Sequence, residues 1–169
     1  MVRHKINVLT KHQTYRFIIG SLLFLFLLAP MLGAAQISSS HYHIHRANLN
    51  NSFAQFTNKK KGKVAFLGGS ITYNPGWRDS VIQYLTKKFS DTDFEFIAAG
   101  IPSMGSTPGA FRLERDVLSK GPIDLLFIEA AVNDPTNGRS SLEQVRAMGG
   151  IIRHARKTYP KIDIITMYF

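Results

Sequence analysis

Three short segments of the sequence carry hydroxyl or carboxamide side chains, and the first two of them also contain glycines. They are residues 68–72 (GGSIT), 100–107 (GIPSMGST) and 131–135 (AVNDP). A serine hydroxyl is a nucleophile, while a backbone N–H or an asparagine amide stabilises a developing oxyanion by donating a hydrogen bond. Ser70 as the attacking group, with Gly105 and Asn133 as the donors, would therefore suit acyl transfer.

Each segment also has an ordinary structural explanation. A serine after two glycines often caps a helix, a glycine-rich loop forms a turn, and Asn-Asp-Pro is a common turn sequence. Other glycine-loop chemistries fit less well, since the chain has no Gly-x-x-x-x-Gly-Lys phosphate loop and no Gly-x-Gly-x-x-Gly dinucleotide motif. Thr72 stands where the Gly-x-Ser-x-Gly elbow of α/β-hydrolases ends in glycine. Chemistry is favoured because the three segments occur together, each after a predicted strand.

From residue 63 onward, the chain alternates between predicted strands and helices. The strands are short apolar runs, and the helices carry apolar residues at the spacing of one helical face. We predict strands at residues 64–67, 94–98, 124–130 and 162–168, and helices at 78–89, 108–118 and 140–159. Pro108 suits the first turn of the second helix, with Ser106 or Thr107 as its cap. This order predicts a parallel sheet with helices on both faces, whose carboxyl edge carries the three segments.

Composition limits the protein to a small set of classes. The 169 residues suit one ordinary domain, and 44% hydrophobic with 19% charged residues allow a buried core. The chain has no cysteine, so disulfides, thiolate metal sites and cysteine nucleophiles are excluded. The net charge of +10 comes partly from the N-terminus and from a lysine run at residues 59–63. Without a basic helix interleaved with aromatic residues, this charge does not indicate nucleic-acid binding.

Residues 1–35 have the pattern of a secretory signal peptide. A basic stretch precedes the apolar residues 17–28, and small residues precede a cleavage point after Ala35. We therefore predict a secreted or periplasmic protein. The alternative is a membrane anchor formed by residues 17–32, although Pro30 interrupts that run.

Residues 36–62 are polar and predict a linker before a folded domain at 63–169. His41, His43 and His45 alternate within this stretch and would share one face of a strand, which is a weak indication of a metal site. We expect these histidines to be solvated, because no carboxylate lies near them in the sequence.

The three segments resemble the sequence blocks of the SGNH hydrolases, also called GDSL-type esterases and lipases. Residues 68–72 look like the first block in a variant form, Gly-Gly-Ser-Ile-Thr, that is found among carbohydrate esterases. Residues 99–113 look like the second block with the helix after it. Residues 131–134 resemble the third block, Gly-x-Asn-Asp, with Ala131 in place of the glycine. The resemblance covers residues 63–169 and implies a flavodoxin-like, three-layer αβα sandwich.

The resemblance implies a serine esterase or deacetylase that hydrolyses ester-linked acyl groups, with glycans among its substrates. Ser70 would be the nucleophile, and the oxyanion hole would consist of the N–H groups of Ser70 and Gly105 and the amide of Asn133. No metal and no cofactor is implied. The expected partner is a small-molecule or glycan ester. Residues 73–77 would line the substrate pocket, or Trp77 would pack in the core.

The histidine base of the family has no counterpart in these 169 residues. In the family it lies in an Asp-x-x-His block after a fifth strand, whereas here Phe169 follows the fourth predicted strand. We therefore expect the last strand and helix of the fold to be missing. His154 is the only histidine after Ser70, and we place it on a helix surface. Two alternatives stay open: a catalytically impaired fragment or binding module, and a membrane-anchored protein whose basic run at residues 59–63 contacts anionic lipid.

Overall fold

The computed structural model describes residues 43, 44 and 46–168. The predicted signal peptide, His41 and His45 lie outside the described residues. The sheet lies within one compact unit, Ala47–Phe169. Within the described part of the chain, no helix combines the length and the apolar character needed to span a membrane.

Four parallel strands form a sheet in the order β2-β1-β3-β4. The strands are β1 (Lys61–Gly68), β2 (Asp93–Gly100), β3 (Leu125–Glu129) and β4 (Asp163–Thr166). At the carboxyl end of β1, Gly68 lies opposite Gly100 of β2 and Glu129 of β3. This register brings the ends of three strands level, so the loops after them start side by side. The predicted parallel α/β sheet is confirmed.

Helices connect the strands and cover the sheet. They are α1 (Asn50–Ala54), α2 (Ser70–Tyr73), α3 (Trp77–Lys88), α4 (Ser106–Asp116) and α5 (Ser141–Thr158), with a π-helical turn at Gln55–Lys59 and a 3₁₀ turn at Leu118–Lys120. The Ser140 hydroxyl accepts a bond from the Glu143 N–H at 3.3 Å, and the Glu143 carboxylate accepts one from the Ser140 N–H at 3.2 Å. This capping box starts α5 where the sequence predicts it.

Side chains of β1, an interior strand, alternate between the two faces of the sheet, and both faces are buried. One buried cluster joins β1 to α4 and α5 through Ala65, Leu67, Leu113 and Ile151. The other joins β1 to the π-helical turn and α3 through Val64, Phe66, Phe56 and Leu85. A strand that is apolar on both faces needs helices on each side. The three-layer αβα sandwich is therefore confirmed.

The segment before β1 is folded, in contrast to the linker predicted at residues 36–62. Residues 50–59 are helical. Phe56 is fully buried, and its ring packs against Phe89 and Phe94 at centroid distances of 5.4 and 5.0 Å. The apolar residues of this stretch are too few for a periodicity to stand out, so composition alone indicates a linker.

A buried hydrogen-bond group ties α1 to the first residue of β4. The Asp163 carboxylate accepts bonds from the N–H and the hydroxyl of Ser52, both at 2.7 Å, and from the Asn51 amide at 3.2 Å. Ser52 is fully buried and Asp163 nearly so. Hydrogen bonds to a charged acceptor are stronger than neutral ones, so this group anchors the segment before β1.

Replacing Ser52 by alanine should lower the free energy of unfolding by about 2 kcal/mol, because the buried Asp163 carboxylate loses a donor. Ser90→Ala is the matched control, since the Ser90 hydroxyl also faces an aspartate, Asp91, but at 3.5 Å on the surface. That control should change stability by less than about 0.5 kcal/mol. Denaturant unfolding measures both variants. Equal stabilities would show that Ser52 does not anchor α1.

Candidate active site

Ser70 begins helix α2 immediately after the turn that ends β1. Gly69 is the N-cap of this helix, and its N–H donates to the main-chain oxygen of Glu129 at 3.1 Å. The Tyr73 N–H donates back to the Gly69 oxygen at 3.0 Å, which closes the first helical turn. Ser70 itself is half-buried. The turn therefore holds the serine at the carboxyl edge of the sheet, as the sequence predicts.

Two glycines make this turn possible by leaving room for their neighbours. A Cβ atom at Gly68 would overlap Thr72 Oγ1 and the main-chain oxygen of Glu129. A Cβ atom at Gly69 would overlap Asn133 Nδ2. The glycines are thus needed for close approach between strand ends. The same contact brings the Asn133 amide against the residue that precedes the serine.

Asn133 lies in the turn after β3, with its amide between the other two segments. Its Nδ2 donates to the Met104 oxygen at 3.2 Å and lies against Gly69. Gly105 follows Met104 directly and is buried. The structure thus brings together the segments that carry Ser70, Gly105 and Asn133. Their catalytic roles stay predictions.

Asp134 has a structural role that the sequence analysis does not assign. Its carboxylate is almost fully buried and accepts bonds from the Ser106 N–H at 2.8 Å and the Ser106 hydroxyl at 2.5 Å. The predicted cap at Ser106 or Thr107 is wrong, because Gly105 is the N-cap of α4 and Asp134 satisfies the first helical N–H from another loop. A Cβ atom at Gly105 would overlap Asp134 Oδ1. Asp134 therefore ties the second loop to the third.

Two buried charged residues contact the turn after β1, and sequence reasoning missed both. Glu129 Oε2 accepts bonds from the Gly69 N–H at 3.2 Å and the Thr72 hydroxyl at 2.8 Å. Arg112 Nη2 donates to the Gly68 oxygen at 2.9 Å. The sequence does hold a signal for Glu129, which follows the apolar run of β3 directly. Acidic side chains are rarely buried without a partner, so an acid at this position indicates a buried hydrogen bond.

Two other residues considered for the site lie elsewhere. His154 Nε2 lies 3.3 Å from the Glu114 carboxylate, and its side chain is partly exposed, so the predicted surface position is confirmed. The Trp77 ring packs on Phe66 and Phe127 at centroid distances of 5.5 and 5.8 Å, so it is a partly buried residue that packs against the core. Among the described residues, no group of three or more histidine or acidic side chains is arranged to hold a metal ion.

The fold is similar to that of SGNH-hydrolase esterases. AlinE4, an SGNH-hydrolase family esterase, matches with a TM-score of 0.53 at 21% identity, over 64% of this chain and 59% of its own. A likeness at that identity concerns the fold. No protein-family model and no curated protein matches the chain.

The chain is also similar to a two-domain esterase (CEX) active on acetylated mannans. The TM-score is 0.62 at 28% identity, and the match covers 72% of this chain and 34% of the esterase. The structure of that esterase co-crystallised with mannopentaose gives a TM-score of 0.63 at 29% identity, over 70% and 33% of the two chains. This chain therefore spans about a third of the length of that relative. These likenesses confirm the resemblance to SGNH hydrolases and to carbohydrate esterases.

Proposed function

We propose that this chain carries the nucleophile and the oxyanion-binding groups of a serine esterase that removes ester-linked acyl groups from glycans. The main support is the contact of the Asn133 amide with Gly69, the residue before Ser70. A nucleophile and a hydrogen-bond donor within one group of loops are what acyl transfer requires. The N–H groups of Gly105 and Ser70 are the other proposed donors.

In the proposed reaction, Ser70 Oγ attacks the carbonyl carbon of the ester and passes its proton to a general base, a role for which residues 46–168 contain no histidine other than His154. The carbonyl oxygen becomes an oxyanion, stabilised by Asn133 Nδ2 and the two N–H groups. When the oxyanion collapses, the bond to the alcohol oxygen breaks and the alcohol leaves with that proton. Water then attacks the acyl-serine, releases the acid and restores the hydroxyl. His154 does not fit the role of the base, because it pairs with Glu114 on the surface of α5.

Acetylated glycans are the proposed substrate class. The similarity to an esterase active on acetylated mannans supports this choice, as does the Gly-Gly-Ser-Ile-Thr form of the first block. We also propose export, on the N-terminal pattern of residues 1–35 with cleavage after Ala35. An exported esterase would meet polymeric glycans outside the cell.

Acetate release from acetylated mannan by the purified chain tests the proposed function. Chemically deacetylated mannan is the blank, and 4-nitrophenyl acetate is a second substrate whose phenolate leaves without needing a proton. We expect hydrolysis of the aryl ester, whose leaving group needs no proton, and slower release of acetate from the acetylated polymer. Binding to mannan with neither reaction would instead favour a binding module built on this fold.

Replacing Asn133 by alanine should lower kcat on 4-nitrophenyl acetate by about 10²–10³-fold, with KM little changed, because an oxyanion donor acts mainly in the transition state. Asn137→Ala is the matched control. Asn137 lies in the same turn, and its Nδ2 donates to the Ser103 oxygen at 3.0 Å, much as that of Asn133 donates to the Met104 oxygen. Steady-state kinetics measure both. An equal loss in the control would mean that Asn133 acts through loop structure alone.

A further inference from the structure

The peptide group between Gly68 and Gly69 is held at both of its polar ends by buried charged side chains. Its C=O accepts bonds from Arg112 Nη2 at 2.9 Å and from the Ile101 N–H at 3.0 Å. Its N–H donates to Glu129 Oε2 at 3.2 Å and to the Glu129 main-chain oxygen at 3.1 Å. Arg112 is 6% exposed and Glu129 is 1% exposed. Solvent therefore competes little for either end.

This peptide group joins two glycines directly before Ser70. Glycine has few steric limits on its backbone torsions, so the local chain does not determine how the group is oriented. Neither glycine can be exchanged for a stiffer residue, because a Cβ atom would overlap Thr72 at Gly68 and Asn133 at Gly69. The orientation must come from contacts with the rest of the fold.

The two charges favour the same orientation of the peptide group as its main-chain bonds to Ile101 and Glu129. A peptide unit has a dipole of about 3.5 D, with its negative end at the oxygen and its positive end at the N–H. The Arg112 guanidinium faces the oxygen, and the Glu129 carboxylate faces the N–H. A rotated peptide would turn its oxygen toward the carboxylate and its N–H toward the guanidinium. Both contacts would be unfavourable, and more so in a buried site of low dielectric.

Glu129 also holds the chain on the far side of Ser70. Its Oε2 accepts the Thr72 hydroxyl at 2.8 Å in addition to the Gly69 N–H. One carboxylate oxygen thus bonds to residues before and after the serine. Movement of this carboxylate would shift both ends of the turn that carries the nucleophile.

Arg112 is itself fixed by Asp116, one turn further along α4. The Nη1 to Oδ2 distance is 3.0 Å. Hydrogen bonds from Arg115 and Arg112 hold the pKa of Asp116 below its usual range, so this carboxylate stays ionised near neutral pH. Buried ion pairs add little net stability compared with apolar packing. The orientation imposed on the turn explains these charges better than stability does.

We propose that Arg112 and Glu129 are positioning residues that fix the Gly68–Gly69 peptide group and so direct the Ser70 hydroxyl and N–H toward one acyl group. This inference rests on the proposed function of Ser70. Because a misplacement of about 1 Å lowers a reaction rate on the order of a hundredfold, loss of either residue acts mainly on kcat.

Arg112→Met and Glu129→Gln in the full chain test the proposal with 4-nitrophenyl acetate as substrate. Each should lower kcat by about a hundredfold with KM nearly unchanged. Arg112→Lys keeps a cation near the Gly68 oxygen and should recover part of the loss. Arg139→Met is the matched control, because Arg139 also pairs with a carboxylate four residues on, Glu143, while 42% of its side chain is exposed. Its kcat should equal that of the wild type.

Amide hydrogen exchange at Gly69, followed by NMR, reports on the same contact without catalysis. The Gly69 N–H should be protected in the wild type and should exchange faster in Glu129→Gln and Arg112→Met. Thermal unfolding identifies any variant that does not fold. If Arg112→Met does not fold, the kinetics and exchange rates of Arg112→Lys and Glu129→Gln test the proposal instead. Folded variants with wild-type kcat, losses confined to KM, or unchanged protection of Gly69 each overturn the proposal. A wild-type chain that hydrolyses no ester overturns the proposed function and, with it, the effect of Arg112 and Glu129 on Ser70. The exchange rates then still decide whether these two residues hold the peptide group.

Discussion

Replacing Ser70 by alanine should abolish the acyl-enzyme and, with a general base aligned with the serine, reduce hydrolysis of 4-nitrophenyl acetate by up to about a millionfold. Alanine has no oxygen with which to form the acyl-enzyme. Ser70 is half-buried at the start of α2, and the change removes a single oxygen atom, so the fold should be retained. Initial rates at high protein concentration measure the residual activity.

Ser80→Ala is the matched control for this substitution. Ser80 is an exposed serine of α3 whose hydroxyl donates to the Gly76 oxygen at 3.2 Å. We expect this variant to retain the wild-type rate. A folded Ser70→Ala protein that hydrolyses the ester at the wild-type rate would place the reaction on a different group.

Replacing Asp134 by alanine should lower the free energy of unfolding by about 3 kcal/mol and Tm by roughly 10 °C. The change removes two bonds from Ser106 to a charged acceptor and leaves the fully buried Ser106 without that partner. Because Ser106 follows Gly105, the start of α4 should shift and esterase activity should fall as well. Thermal unfolding by circular dichroism measures the stability.

Two further variants separate the buried contact from an ordinary helix cap. The exposed Asp79 carboxylate accepts the Gly76 N–H at 3.1 Å at the start of α3, so Asp79→Ala should lower stability by about 1 kcal/mol. Asp134→Asn keeps an acceptor for the Ser106 N–H and should lie between Asp134→Ala and the wild type. An Asp134→Ala protein as stable as the wild type would show that this carboxylate does not hold α4.

The sheet could be predicted because its signals are local. The apolar run at residues 64–67 and the helical spacing over 78–89 each indicate an element without reference to the rest of the chain. The start of the domain could not be predicted in the same way. Phe56 belongs to a polar stretch, and its burial depends on Phe89 and Phe94, which lie far along the sequence.

The candidate site likewise has a part that local sequence patterns predict and a part that they do not. Ser70, Gly105 and Asn133 could be assigned to one edge because the carboxyl ends of parallel strands meet there. The bond from Ser106 to Asp134 joins residues 28 apart in sequence, and the bond from Gly69 to Glu129 joins residues 60 apart. Such side-chain pairs depend on loop geometry, which no local pattern specifies.

Acetylation of Ser70 during turnover is the most direct test of the proposed chemistry. The protein is mixed with 4-nitrophenyl acetate, quenched with acid before steady state, and analysed by intact mass and peptide mapping. We expect one acetyl group, located on Ser70, in the wild type and none in Ser70→Ala. Hydrolysis that proceeds with Ser70 unmodified, or an acetyl group on another residue that forms at the rate of turnover, would contradict the assignment of Ser70 as the nucleophile.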